Sequence, residues 1–343
     1  MIFCTVSTYK HLGLAIIMAK SIRNTQPEAR IVLCLVEEEM SMVEPYRWLF
    51  DDIVLAKQLG IRNFYRHMFR HTEIEGPCSC KARLLLYALQ RFPYADKFVY
   101  IDSDMKAYGP FTELSTTLDH YPIVLTPHNF VAKKAVVRHG YFNAGFLAFR
   151  RGPKARKFLQ WWARKLDQFC YLNVQRGLNA DQKWLDQVPR LFGAHVFFHP
   201  GYNVGPWNVG ERTITHTEDG SWLANGEPLK VFHFSSVLRF PNFSSYLVHY
   251  TSHVIHTPPR IQNYLTHLIK GYFAEVEMHL ADLPNPPWSY GHFANGRKIL
   301  VRSRLNFRRN RHKRYKFVKN PFQKSNLFFR SQPQKRKRLR KRR

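Results

Sequence analysis

The stretch Lys97-Phe98-Val99-Tyr100-Ile101-Asp102-Ser103-Asp104-Met105 decides how the chain is read. An apolar run ends abruptly in two carboxylates one residue apart. A continuous apolar run of this length reads as a strand buried on both faces, as in a parallel sheet. In open α/β sheets, ligands bind just beyond the carboxyl ends of the strands. Asp102 and Asp104 therefore stand where a metal-binding pair is expected. Two carboxylates this close repel each other unless a cation or a proton lies between them. A hard divalent ion such as Mg²⁺ or Mn²⁺ prefers oxygen ligands and commonly bridges phosphate oxygens. An isolated Asp-x-Asp also arises by chance in chains of this length, so its neighbours decide its meaning.

Before this stretch, residues 81–91 read as a helix with Leu84, Leu85, Tyr87, Ala88 and Leu89 as its packing stripe. Lys81 and Arg83 would fall in its first turn, where cations oppose the helix dipole. They have either an anionic partner or solvent around them. Further back, residues 2–7 read as a strand, 12–19 as a helix, 30–36 as a second strand and 50–55 as a third. This β-α-β opening implies a parallel sheet with a right-handed crossover. No G-x-G-x-x-G follows the first strand, which argues against a dinucleotide site. The loop 5–9 offers Thr5, Ser7 and Thr8 hydroxyls and the Tyr9 ring instead. Residues 64–70 read as a short helix.

After the carboxylates, residues 111–118 read as a helix and 122–127 as a strand, followed by His128 and a basic loop with Lys133, Lys134, Arg138 and His139. The apolar strand 141–149 is interrupted by Asn143-Ala144-Gly145. An amide and a glycine inside a strand suggest a bulge or a close backbone approach by a ligand. Residues 158–169 read as an amphipathic helix. Asp181-Gln182 opens the next one, with Asp181 either an N-cap or a functional carboxylate. Residues 195–199 read as a strand, and 202–208 are rich in turn formers and hydrogen-bonding groups. Asp219-Gly220 and Asn225-Gly226 mark turns within a hairpin region, 213–231. The strand 231–236 carries His233, either a satisfied core histidine or a third metal ligand. Residues 246–255 and 261–280 read as helices.

A length of 343 residues allows one large α/β domain or two smaller ones. The net charge of +29 is uneven: residues 297–343 hold 21 Lys or Arg and no acid, leaving +8 for the first 296. The Pro-rich segment from Pro284 is expected to end the compact part. The division is therefore a domain at 1–296 and a basic, disordered tail at 297–343, in which 297–315 would form a short basic helix. No apolar run approaches the roughly 18 residues of a membrane-spanning helix. The amino terminus runs straight into a strand without a signal-peptide pattern. Five cysteines, an odd number, suggest reduced thiols and a cytosolic protein. Cys78-Ser79-Cys80 is too tight for an ordinary zinc half-site.

Taken together, Phe98–Asp104, Asn143-Ala144-Gly145 after Tyr141-Phe142, Asp181-Gln182 and His233-Phe234-Ser235 carry a family likeness. Their order over roughly residues 1–300 resembles nucleotide-sugar glycosyltransferases of the GT-A fold, close to the bacterial branch of glycosyltransferase family 8. The resemblance implies an α/β fold with a Rossmann-like, mainly parallel central sheet flanked by helices, and a C-terminal helical extension. It implies that Asp102, Asp104 and His233 hold Mn²⁺ or Mg²⁺ on the donor diphosphate, with Asp102 also near the ribose. Thr5, Ser7 and Thr8 would line the nucleoside pocket, with Asp51 or Asp52 as further candidates. Lys81 would face the diphosphate, and Asn143, Asp181 and Gln182 the transferred sugar. Two positions depart from the family pattern: Ser236 replaces a customary glycine, and Ala82 follows Lys81 where the nearest relatives often have proline.

The expected activity is transfer of a sugar from a nucleotide-sugar, UDP-linked, to an acceptor hydroxyl, with retention favoured by the likeness. The basic tail is expected to dock on an anionic membrane surface at the inner face of the plasma membrane. Glycolipid, cell-surface glycan or lipopolysaccharide acceptors would be found there, with Leu327-Phe328-Phe329 as an apolar contact. Two alternatives are a nucleic-acid-binding protein acting through the tail and a Mg²⁺-dependent phosphohydrolase with Asp102 as nucleophile. The tail lacks aromatic-interleaved recognition motifs. The phosphohydrolase pattern places its carboxylate pair after the first strand and follows it with Thr or Val, not Met105.

Overall fold

Strand β1 (Ile2–Ser7), helix α1 (Leu12–Thr25) and strand β2 (Arg30–Leu35) form the β-α-β opening, with β1 and β2 parallel and in register from Ile2–Arg30 to Ser7–Leu35. The computed structural model describes residues 1–130, 139–251 and 259–329. The basic residues Lys133, Lys134 and Arg138, the end of the helix expected at 246–255, and the run 335–343 lie outside these residues. Within them the molecule is a mixed α/β protein built on a seven-stranded sheet. Adding β3 (Asp52–Leu55), β4 (Lys97–Ile101), β6 (Ile123–Pro127) and β7 (Phe142–Arg150), the order is β3-β2-β1-β4-β7-β6, closed by the short strand His195–Val196. Only β7 runs antiparallel to its neighbours. This is the mainly parallel sheet expected, and its strands are buried on both faces, as their continuous apolar runs require.

One face is covered by α3 (Glu75–Arg91) and the helix Pro153–Phe169, which meet through Leu84, Leu85, Ala88, Phe158, Leu159 and Trp162. The other face is covered by α1 and α4 (Thr112–His120), through Leu12, Ile16, Leu114 and Leu118. A third apolar cluster joins Leu14 and Ile17 of α1 to the small antiparallel sheet at residues 214–228 and to the helix Pro259–Asp282.

Helix α3 starts at Glu75, well before the expected Lys81. Glu75 Oε2 accepts from the Thr72 amide at 2.9 Å and Thr72 Oγ1 accepts from the Glu75 amide at 3.3 Å. This reciprocal pair starts the helix, and Pro77 is tolerated because a first turn does not need its missing amide. Lys81 is therefore not a first-turn cation, and the dipole argument does not apply to it.

The division at residue 297 is also corrected. Residues 288–329 wrap back over α2 (Phe64–Phe69). Trp288 Nε1 donates to Val36 O at 2.9 Å and Tyr290 is buried. The helix Val301–Asn310 presents Phe307, which is fully buried, as is Tyr315. The ring of Phe69 meets Phe293, Phe307, Phe322 and Phe328. Leu327, Phe328 and Phe329 are half-buried and pack against this core. The charge count concealed a regular supply of aromatic residues, each of which buries a large apolar area. All five cysteines are free thiols. Among the described residues, no helix is long and apolar enough to cross a membrane.

Candidate active site

The turn after β4 places Asp102 and Asp104 at the carboxyl end of the central strand, and the chain continues into β5 (Met105–Ala107). The strand Val231–His233 pairs with β5 antiparallel, with His233 opposite Met105. The Phe234 amide donates to Asp104 O at 2.8 Å. This two-stranded ladder brings a distant histidine onto the carboxylates. Donor atoms of Asp102, Asp104 and His233 all lie within 4.8 Å of one another, and His233 Nε2 is 3.0 Å from Asp104 Oδ1.

These residues suit a divalent ion. His233 Nδ1 faces Asn203 Oδ1 at 3.3 Å, and Asn203 Nδ2 donates to Thr126 Oγ1 at 2.8 Å. A proton held on Nδ1 leaves the Nε2 lone pair toward the carboxylates, the orientation a metal ligand needs. The charge count agrees. Asp102 and Asp181 share the single ammonium of Lys81, and Asp104 lies against His233, so with a neutral imidazole the three carboxylates leave two negative charges, which one divalent cation would cancel. Gly145 makes room for the arrangement. A Cβ there would stand 2.6 Å from His233 Cε1, 2.7 Å from Asp102 Oδ2 and 2.8 Å from Asn143 Oδ1. The Asp102 amide donates to Gly145 O at 2.8 Å, so β7 also fixes the turn.

Lys81 reaches the site from the interior of α3. Its Nζ lies 3.0 Å from Asp102 Oδ1 and 2.8 Å from Asp181 Oδ2, and donates to Ala144 O at 3.1 Å. Burial pushes its pKa down, but the two carboxylates outweigh burial and hold the ammonium well above its usual range. Burial raises the Asp181 carboxyl above its ordinary value, which Lys81 offsets only in part because Asp102 repels. Asp181 makes no side-chain cap on the Gln182–Gln187 turn, so of its two readings the ion pair prevails. Arg83 does find an anionic partner, Asp167 at 2.5 Å, but lines neither cavity of the site.

Two cavities meet at this point. One, of about 330 Å³, is lined by Ser7, Thr8, His11, Tyr100, Ser236 and Arg239. The other, of about 260 Å³, is lined by Asn143, Gly145, Asp181, Gln182, Trp207 and His233. Lys81, Asp102 and Asp104 line both. Asn143 is held rigidly, its Oδ1 accepting from the Gly145 amide at 2.8 Å and its Nδ2 facing His128 Nε2 at 3.2 Å. Gln182 Oε1 accepts from the Ala144 amide at 3.3 Å.

Three candidates fall elsewhere. Thr5 is fully buried in β1, its hydroxyl has no partner, and it lines neither cavity. Ser7, on the same face, ends the strand and reaches the cavity, whereas Thr5 lies two residues back and is covered. Asp51 binds Arg23 at 2.6 Å and the Ile31 amide at 2.7 Å, and Asp52 takes Tyr87 and Arg91. Both stand at the amino end of β3, whereas the site lies at the carboxyl ends of its parallel neighbours.

The sequence reading missed His11, Tyr100, His128, Asn203, Trp207 and Arg239. Tyr100 lay inside the opening stretch, and its hydroxyl donates to Asp102 Oδ1 at 2.7 Å. Asn203 and Trp207 lay in the polar segment 202–208. Arg239 had no local signal. Backbone strain marks the same place. Of five described non-glycine residues with positive φ, Ala180 precedes Asp181, Asn203 holds His233 and Ser236 lines the cavity. Ser236, at φ +68°, occupies a left-handed conformation that favours glycine.

No family model matches the chain. In sequence it is similar to the uncharacterized protein YfnF of Bacillus subtilis (strain 168), 23% identical over 243 residues that cover 68% of this chain and 80% of that protein. Among solved structures it is similar to mouse xyloside xylosyltransferase 1 in its apo form, with a TM-score of 0.41 and 13% identity over 70% of this chain and 100% of that one. It is also similar to the galactosyltransferase LgtC in complex with donor and acceptor sugar analogs, with a TM-score of 0.41 and 17% identity over 77% and 100% of the two chains. A third is the apo-form glycosyltransferase GlyE of Streptococcus pneumoniae TIGR4, with a TM-score of 0.45 and 15% identity over 78% of this chain and 64% of that one.

Proposed function

We propose that the protein transfers a sugar from a nucleotide-sugar, UDP-linked, to an acceptor hydroxyl, and that Asp102, Asp104 and His233 hold the Mn²⁺ or Mg²⁺ this requires. One observation carries the reading. The two cavities share the Lys81–Asp102–Asp104 junction, with hydroxyl-bearing Ser7 and Thr8 on one side and Asn143, Asp181 and Gln182 on the other. A nucleoside, a diphosphate and a sugar are joined in the same order.

An ion held by Asp102, Asp104 and His233 would supply the positive charge that neutralises a diphosphate leaving group. Lys81 is already charged, desolvated and fixed by three oxygen atoms, so it adds stabilisation without reorganising. Asp181 lies on the sugar side, where a carboxylate stabilises an oxocarbenium-like anomeric carbon. The doubly tied Asn143 amide and Gln182 orient the sugar. Retention of the anomeric configuration, a glycolipid or cell-surface glycan acceptor such as lipopolysaccharide, and a place at the inner face of the plasma membrane belong to the same proposal. With Phe328 and Phe329 packed on the core, contact with an anionic membrane would fall to the basic residues 330–343.

Thermal-shift measurements with UDP-, GDP- and dTDP-sugars, in Mn²⁺ and in EDTA, test the proposal. A UDP-sugar should stabilise the protein only with the ion, and Asp102→Ala should remove the effect. Failure of every nucleotide-sugar to stabilise the protein with Mn²⁺ would sink it.

A further inference from the structure

A cavity of about 580 Å³, larger than either half of the cleft and sharing no lining residue with it, lies between α2 and the C-terminal wrap. Arg62, Arg66, Arg70, Arg311, Lys316 and Lys319 line it, and no Asp or Glu does. Two of these cations form its fixed floor. Arg66 Nη1 donates to Tyr315 O at 2.6 Å and Val318 O at 2.5 Å, and Nη2 to Arg311 O at 2.9 Å, so the loop 311–318 is wound around one guanidinium. Arg70 Nη2 donates to Asp167 O at 2.8 Å.

The remaining four are different. Arg62, Lys316 and Lys319 are exposed, and neither they nor Arg311 has an ion pair with a carboxylate among the described residues. Other arginines of the molecule do find acids, as Arg23 finds Asp51 and Arg83 finds Asp167. The guanidinium groups of Arg66 and Arg70 are held below their usual value, first by burial and further by the charge of Arg311. Scattered surface cations are the ordinary property of a basic chain. Cations gathered in a tied-down concavity without a counter-carboxylate are not, because their repulsion is relieved only by an anion from outside.

We propose that this cavity is an anion site that binds a phosphate-bearing group, held by Arg62, Arg311, Lys316 and Lys319 against the fixed floor. Guanidinium forks and lysine ammonium groups match phosphate oxygens. Phe317, 88% exposed beside Lys316, offers an apolar ring to the rest of the ligand. The site goes beyond sugar transfer and does not depend on it. The phosphate can come from a soluble polyphosphate or from a lipid headgroup, and two probes separate these sources.

The full chain is titrated calorimetrically with inorganic tripolyphosphate in EDTA at low salt, and sedimented with phosphatidylglycerol or phosphatidylcholine vesicles. A triple variant, Arg62→Gln/Lys316→Gln/Lys319→Gln, is compared with Lys154→Gln/Arg156→Gln/Lys157→Gln, which loses the same charge from the exposed side of the helix Pro153–Phe169. The pair Lys316→Gln/Lys319→Gln serves if the first triple is unstable. The cavity variant should bind about tenfold or more weakly and the helix variant within about twofold of the original. Loss toward tripolyphosphate assigns a soluble ligand, and loss confined to phosphatidylglycerol vesicles assigns a headgroup. Equal weakening in both variants, or no binding of either probe by the original protein, overturns the proposal.

Discussion

The cleft and the C-terminal wrap both bury positive charge, and they do it differently. In the cleft, Lys81 is answered by the carboxylates of Asp102 and Asp181. In the wrap, Arg304 gives Nη1 to Met68 O and Phe69 O and Nη2 to Tyr290 O, while Arg66 serves three carbonyls of the loop it holds. Rings of Phe69, Trp288 and Phe307 complete these surroundings. A side-chain carboxylate can exchange one cation for another, so a charged ligand can enter the cleft at modest cost. A carbonyl in a packed loop has no such freedom, and its arginine is a fastener. The same residue chemistry thus makes an exchangeable site in one region and a scaffold in the other.

Substitutions that separate the two regions test this contrast. Asp104→Asn should lower metal-dependent transfer by about a thousandfold or more, because the ion loses a ligand and a charge. Thermal unfolding should stay near that of the original protein. Equal turnover by the variant in Mn²⁺ would remove the cleft from the chemistry. Arg304→Ala should destabilise by about 3 kcal/mol in urea unfolding, since three buried carbonyls lose their donor. Mn²⁺ affinity should not move, and a fall in that affinity at full stability would break the contrast.

His128, which lies behind Asn143 and outside both cavities, supplies a pH-dependent test. Its Nδ1 faces Gly140 O at 3.0 Å and Tyr141 O at 3.3 Å, and burial lowers its pKa from 6.5 to about 4. The folded ring stays neutral where the unfolded one takes a proton. Its contribution to stability is therefore complete above pH 6.5 and is lost as pH falls through 4. The loss amounts to roughly 3 kcal/mol. His128→Gln should flatten the pH dependence of the urea midpoint in that window by this share, and an unchanged profile would contradict the assignment. Ser236→Gly should have the smallest effect. Relief of the left-handed conformation should raise stability by about 1 kcal/mol. A lower melting temperature would mean that the Ser236 side chain makes a contact worth more than its strain.

The opening stretch carried the central strand and its carboxylates because both are local. A buried strand must be apolar throughout, and a ligand site at its end must change character abruptly. The strands at 2–7 and 30–36 were legible for the same reason. Helix α3 was misjudged at its start because its packing stripe becomes regular only from Leu84, whereas the Thr72–Glu75 exchange begins the helix earlier. The wrap was misjudged because its charge was counted and its aromatic spacing was not.

By itself, the sequence determined the β-α-β opening, the carboxylate pair at a strand end, the amide and glycine that interrupt β7, and a histidine ending a later strand. Each follows from the residue types within a few positions. Only the tertiary structure decided that His233 pairs across from Met105 and closes on Asp104, that Lys81 stands between Asp102 and Asp181, and that Thr5, Asp51 and Asp52 lie outside the cleft. These depend on strand pairing, on which end of the sheet a residue occupies, and on burial by distant segments. Such relations arise when remote parts of the chain share one core, and no local pattern records them.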